Sequence, residues 1–80
     1  MRILEFDMER PGQLEVGQQV NVTEKRLPFA WYYTIVPAVA MSRNIEPAKR
    51  LLAREGKVTE IRPFGTREVV LVEFDEEEED

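Results

Sequence analysis

Residues 27–42 read Leu-Pro-Phe-Ala-Trp-Tyr-Tyr-Thr-Ile-Val-Pro-Ala-Val-Ala-Met-Ser, an uncharged run in a chain of 80 residues that is 34% charged. Pro28 and Pro37 interrupt it, and it falls short of the ~20 apolar residues that a membrane-spanning helix needs. From Trp31 to Val36 every residue is aromatic or β-branched, which specifies a strand apolar on both faces. Pro37 cannot donate to a ladder, so the strand ends there, bulges or presents an edge. One face can enter a core, while the other must be covered by a helix or by a second subunit. Trp31, Tyr32 and Tyr33 are therefore candidate partner-binding residues.

On the N-terminal side, Leu4, Phe6 and Met8 alternate with Glu5 and Asp7, the pattern of a half-buried strand. Arg10-Pro11-Gly12-Gln13 reads as a turn, Leu14 to Val16 as a short strand, Gly17 as a bend, and Val20 to Thr23 as another alternating strand. On the C-terminal side the residues predict a helix over 44–55. Asn44 is its N-cap, Pro47 lies in its first turn, Gly56 stands just past its end, and Ile45, Ala48, Leu51 and Leu52 share one apolar face. Lys57 to Arg62 and Arg67 to Asp75 then form a β-hairpin around Pro63-Phe64-Gly65-Thr66. Val69 to Val72 are consecutive apolar residues, the centre of a strand buried on both faces. Phe64, at the hairpin tip, either folds back over the core or anchors a partner.

These elements make an α+β, mainly β, domain: a small, strongly bent sheet of about five strands with one covering helix. The segments Gly17-Gln-Gln-Val20-Asn-Val22, Gly56-Lys57-Val58-Thr-Glu-Ile61 and Val70-Leu-Val72-Glu-Phe74-Asp75 resemble the recurrent strands of small SH3-like barrels of the KOW and Tudor type. The resemblance covers roughly half the chain and implies that the sheet closes into a barrel. The uncharged run and helix between Leu27 and Glu55 depart from it, since such barrels commonly join these strands by short loops, and an open sheet under a helix remains the alternative.

The 11 basic and 16 acidic residues sum to a charge of −5. Six of the acids form the run from Asp75 to Asp80, and without them ten acids stand against the 11 bases. Residues 1–75 are thus a nearly neutral single domain, and 76–80 an acidic tail with nothing apolar to bury, expected to be disordered. Arg43, Lys49, Arg50, Arg54 and Lys57 make a local basic excess, a candidate phosphate-binding surface that the tail would restrain. The helix dipole alone would also favour several of these cations near the helix C-terminus.

The chain has no Cys and no His. That removes disulfides, thiol nucleophiles, imidazole bases and the usual zinc and haem ligands. Ser42 lacks a nucleophile-elbow context and reads as a second N-cap candidate. Glu5 and Asp7 share the solvated face of a strand, where nothing raises a carboxyl pKa for acid catalysis. No catalytic, metal or cofactor site is expected. Acids at Glu5 and Asp7 break the apolar stretch a signal peptide requires, so a cytoplasmic protein is expected. The function expected is a non-enzymatic protein-binding module, a homodimer or small subunit, docking through strand 31–36 and Phe64. The alternative is a nucleic-acid or ribosome-associated module using the basic segment 43–57.

Overall fold

The apolar residues that alternate along the sequence turn to one side and meet across six antiparallel strands. A computed structural model describes residues 1–10, 12–36 and 40–76. The strands are β1 (Arg2–Met8), β2 (Gln19–Arg26), β3 (Trp31–Val36), β4 (Ala40–Ser42), β5 (Glu55–Phe64) and β6 (Arg67–Phe74). They close into a barrel in the order β1-β4-β3-β2-β5-β6, with β6 pairing back onto β1. The meander β2-β3-β4 is flanked by β1 beside β4 and β5 beside β2, which is Greek-key connectivity. A small closed barrel of this kind is compatible with the SH3-like architecture, with six strands where about five were expected.

Phe6, Met8, Val20, Val22, Tyr33, Ile35, Val58, Val70, Val72 and Phe74 fill the interior. Leu14 and Leu51 join them from connecting segments. Leu14–Val16 is not a strand: Leu14 alone is buried, and Gly17 turns the chain at φ 92°. Its N–H donates to the Val58 carbonyl at 2.7 Å. β3 spans the expected residues, and alternation sends Tyr33 and Ile35 inward. Residues 37–39, including the chain-breaking Pro37, lie outside the described residues.

The helix over 44–55 does not form. Only Pro47–Lys49 makes a turn, of the 3-10 kind, and the rest of the segment is extended or irregular. The reason is that other groups satisfy the backbone a helix would have satisfied. Ile45 forms a bridge with Trp31, each N–H donating to the other's carbonyl at 2.6 and 2.8 Å. The Leu51 N–H donates to the Tyr33 hydroxyl at 2.7 Å. The N–H groups of Leu52 and Ala53 donate to Glu76 Oε1 at 3.0 and 2.9 Å. Arg54 Nη1 donates to the carbonyls of Leu51, Leu52 and Ala53 at 2.9, 3.2 and 3.1 Å. A twelve-residue helix is marginal by itself, and these partners outcompete it. The proposed apolar face is accordingly split, with Leu51 buried and Leu52 exposed.

Gly56 is not a helix terminator. It lies inside β5 against β6, where an added Cβ would stand 2.6 Å from Val72 Cγ1, 2.8 Å from Phe74 Cε1 and 2.9 Å from the Glu73 carbonyl. Ser42 is likewise no N-cap: it ends β4, where its Oγ accepts the Tyr33 N–H at 2.8 Å.

The hairpin β5–β6 is present, but Pro63 and Phe64 belong to its first strand, leaving Gly65-Thr66 as a two-residue turn. Gly65 has φ 64° and no described non-glycine residue has positive φ, the signature of a type II′ turn. A bulge at Thr59 offsets the register between Val58 and Glu60. β5 is paired unevenly. It holds β6 from Gly56 to Phe64, but meets β2 only at Glu55, Gly56 and Lys57. In β6, Val70 and Val72 are fully buried, whereas Val69 and Leu71 face outward and are half-buried, so the apolar run is not buried on both faces. No helix among the described residues is long and apolar enough to cross a membrane.

Candidate protein-docking groove

Strand register brings outward side chains from β4, β1, β6 and β5 into three rows. Asp7 lies opposite Met41 on β4 and Val69 on β6, and Val69 lies opposite Arg62 on β5. Glu5 lies opposite Leu71, which faces Glu60, and the Phe6–Ser42 pairing brings Arg43 level with Glu5. At the hairpin end, Phe64 faces Arg67, and the Met8–Glu68 pairing brings Glu9 level with Arg67. Of these rows, Asp7, Met41, Val69, Arg62, Glu5, Arg43, Glu9, Arg67 and Phe64 border a groove of about 600 Å³. Its apolar lining includes Phe64, 70% exposed, Met41, 49% exposed, and the half-buried Val69. Its charged lining is balanced between Glu5, Asp7 and Glu9 and Arg43, Arg62 and Arg67.

Part of that charge is satisfied internally. Arg67 Nη1 pairs with Asp7 at 3.0 Å, and Arg62 pairs with Glu60. That pairing, with a contribution from Glu5, holds the Arg62 guanidinium above its ordinary pKa. Arg43 and Glu9 have exposed side chains that make no salt bridge or hydrogen bond among the described residues.

The residues singled out by sequence do not converge. Tyr33 is fully buried and cannot touch a partner. Trp31 is half-buried, with the guanidinium of Arg50 4.5 Å and that of Arg26 5.7 Å from its ring centroid. Tyr32 points outward and is half-buried. Of the five cations 43–57, Arg50 and Arg54 are bound to one carboxylate. Arg50 clasps Glu24 through Nε and Nη2, both at 2.8 Å, and Arg54 Nη2 lies 3.2 Å from it. Arg43 sits in the groove, while Lys49 and Lys57 are exposed elsewhere. Without the helix, no helical face aligns these five cations.

Glu24 anchors this second cluster. The Arg50 hydrogen bonds hold its carboxyl below the usual range against the opposing effect of burial, and the Tyr33 hydroxyl at 2.9 Å and Arg54 add to them. Burial is the main cause that pushes the Tyr33 hydroxyl up, followed by its hydrogen bond to Glu24. Glu76 plays the matching part from the other side. Burial pushes its carboxyl up, but the N–H groups of Ala53 and Leu52 and the Arg2 guanidinium, 2.9 Å away, outweigh that and leave it lowered. The first residue of the expected disordered tail is thus docked, and residues 77–80 lie outside the described residues.

Among the described residues no three acidic side chains converge as a metal site. Compared with protein families, curated proteins and solved structures, the chain matches none.

Met41, Asp7, Val69 and Arg67 were missed by sequence reasoning because their adjacency depends on register across three strand pairs. The one available signal was Val69 and Leu71, apolar residues at the outward positions of a strand whose alternate residues were already apolar.

Proposed function

We propose that the protein is a non-enzymatic interaction module that docks another protein in the groove across β4, β1, β6 and β5. The observation that carries this reading is Phe64, an aromatic ring left 70% exposed at the mouth of a concavity beside Met41 and three arginines. Aromatic residues, Met and Arg are the side chains enriched in protein interfaces, and aromatic and Arg anchors dominate their energetics. The docking face extends onto β3, because Thr34 lies opposite Met41, which makes Tyr32, Thr34 and Val36 its continuation. The outward half of the uncharged strand therefore belongs to this face, and the inward half to the core. The likeness of the strand motifs to SH3-like modules supports the same class of function.

Phosphate recognition has less support. Arg50 and Arg54 are committed to Glu24, and carboxylates match the arginines of the groove in number. The test is retention from a cell extract on immobilised wild-type and Phe64→Asp chains, with and without nuclease. A protein retained by the wild type, lost with Phe64→Asp and indifferent to nuclease supports the proposal. Retention that nuclease abolishes and that needs Lys49 and Lys57 overturns it in favour of nucleic acid.

A further inference from the structure

We infer that the docked protein meets this chain with an acidic segment, whose carboxylates lie over Lys25, Arg26 and Arg43 on the β2–β3–β4 side of the docking face. The inference rests on the groove being a protein-docking surface and names the chemistry of what docks beside it. Alternation sends Asn21, Thr23 and Lys25 of β2 and Tyr32, Thr34 and Val36 of β3 outward. Lys25 lies opposite Tyr32, and the Thr34–Met41 pairing brings Arg43 level with Tyr32 from the other side. One step along, Arg26 pairs with Trp31, its guanidinium 5.7 Å from the ring centroid. All three cations are exposed, and none forms a salt bridge or side-chain hydrogen bond among the described residues.

No carboxylate on β2, β3 or β4 turns outward. Their one acid, Glu24, accepts from the Tyr33 hydroxyl and is clasped by Arg50 and Arg54. The carboxylates that border the area are Glu5 and Asp7 on β1, and Glu46 beside the Ile45–Trp31 bridge; Asp7 is paired with Arg67. In a chain of net charge −5 this face is a local inversion of sign. Exposed cations are solvated and do not drive docking themselves. They select the partner and fix its orientation, while the exposed Val36 and Met41 supply apolar surface to bury. A protein segment can place its acids over these three cations and neutral residues over Glu5 and Asp7. A nucleic-acid strand crossing toward the groove carries a phosphate at every nucleotide and meets both carboxylates. Nor is Trp31 a free platform for a base, since it is half-buried with the Arg50 guanidinium 4.5 Å from its centroid.

The experiment is fluorescence anisotropy on the full chain. The probe is a labelled short peptide of Glu and Asp around a central Leu, and the competitor is an oligothymidylate of the same length. Wild type is expected to bind the peptide. Lys25→Glu with Arg43→Glu should weaken binding on the order of 10-fold. Lys49→Glu with Lys57→Glu makes the same change in net charge away from the face and should leave binding within about 2-fold. The Lys25→Glu, Arg43→Glu variant should take a peptide with Lys at each acidic position more tightly than the Lys49→Glu, Lys57→Glu variant does, a result that also shows it to be folded. A wild type that does not bind the acidic peptide, an equal loss in both double variants, or displacement of the peptide by an equal concentration of oligothymidylate overturns the inference. The groove reading fails on a different result, retention from extract that survives Phe64→Asp.

Discussion

The two ends of the barrel treat polar groups in opposite ways. Around residues 50–54, Glu24, Glu76, Tyr33 and Arg54 pair with backbone and side-chain groups of a segment without regular structure. Along the groove, the side chains of Arg43 and Glu9 make no hydrogen bond or salt bridge among the described residues, and Phe64 is exposed. Saturated hydrogen bonding contributes to stability, whereas an exposed ring beside solvated charges leaves apolar surface whose burial can drive association. The difference teaches that Arg50 and Arg54, among the more conspicuous cations in sequence, are engaged by Glu24 here, and it is why the quieter outer face of the hairpin is the surface we propose for recognition.

The sharpest way to break this contrast is at the packed end. Gly56→Val places side-chain atoms where a Cβ alone already stands 2.6 Å from Val72, and should destabilise by at least about 3 kcal/mol or prevent folding, read by denaturant midpoint. Tyr33→Phe should cost about 1–3 kcal/mol, because it strands the buried Leu51 N–H and removes a donor from Glu24. In a domain of this size each kcal/mol lowers Tm by about 4–8 °C, so thermal melts resolve the loss easily.

A smaller effect comes from pH. Glu24 and Glu76 have carboxyls lowered from 4.5, so over that range the unfolded chain binds more protons than the folded one. Their contribution is present above pH 4.5 and is lost as the pH falls through the depressed folded values. Tyr33 acts in the opposite direction. Its hydroxyl is raised from 10.0, so its contribution is present below pH 10 and lost as the pH climbs past it. Melts from pH 7 down to pH 3 should show a fall in stability that Glu76→Gln makes shallower. An unchanged slope in that variant would show that the Glu76 contacts do not hold the segment 50–54 in solution. The smallest effect belongs to the groove: Phe64→Ala should change stability by less than about 0.5 kcal/mol while reducing association. A large loss of stability would place Phe64 in the core and erase the contrast.

Much of the barrel was legible. Period-two alternation marked β1 and β2, the run of aromatic and β-branched residues marked β3, and turn chemistry located the β5–β6 hairpin, because these signals are local. β4 was not legible, since Ala40–Ser42 is a three-residue strand fixed by its neighbours on β1 and β3. The helix was misread because capping signals and apolar spacing compete with partners remote in sequence, and Glu76 and Tyr33 cannot be seen from residues 44–55. Of the site, Phe64 was legible as a ring at a turn, and Arg43 as a cation. Their relation to Asp7, Met41 and Val69 was not, because only closure of the sheet brings those strands together.

The uneven pairing of β5 has a consequence for how the molecule comes apart. One flank is zipped to β6 along nearly its whole length, while the other is clasped to β2 at three residues, extended by the bonds of Gly17 and Gln18 to Val58. A cylinder so made should rupture at its clasp before its zip, so amide exchange at Gly17 and Val58 should precede exchange within the hairpin. What is released first is a still-paired ribbon of two strands, the kind of element that a neighbouring molecule can accept in place of its own.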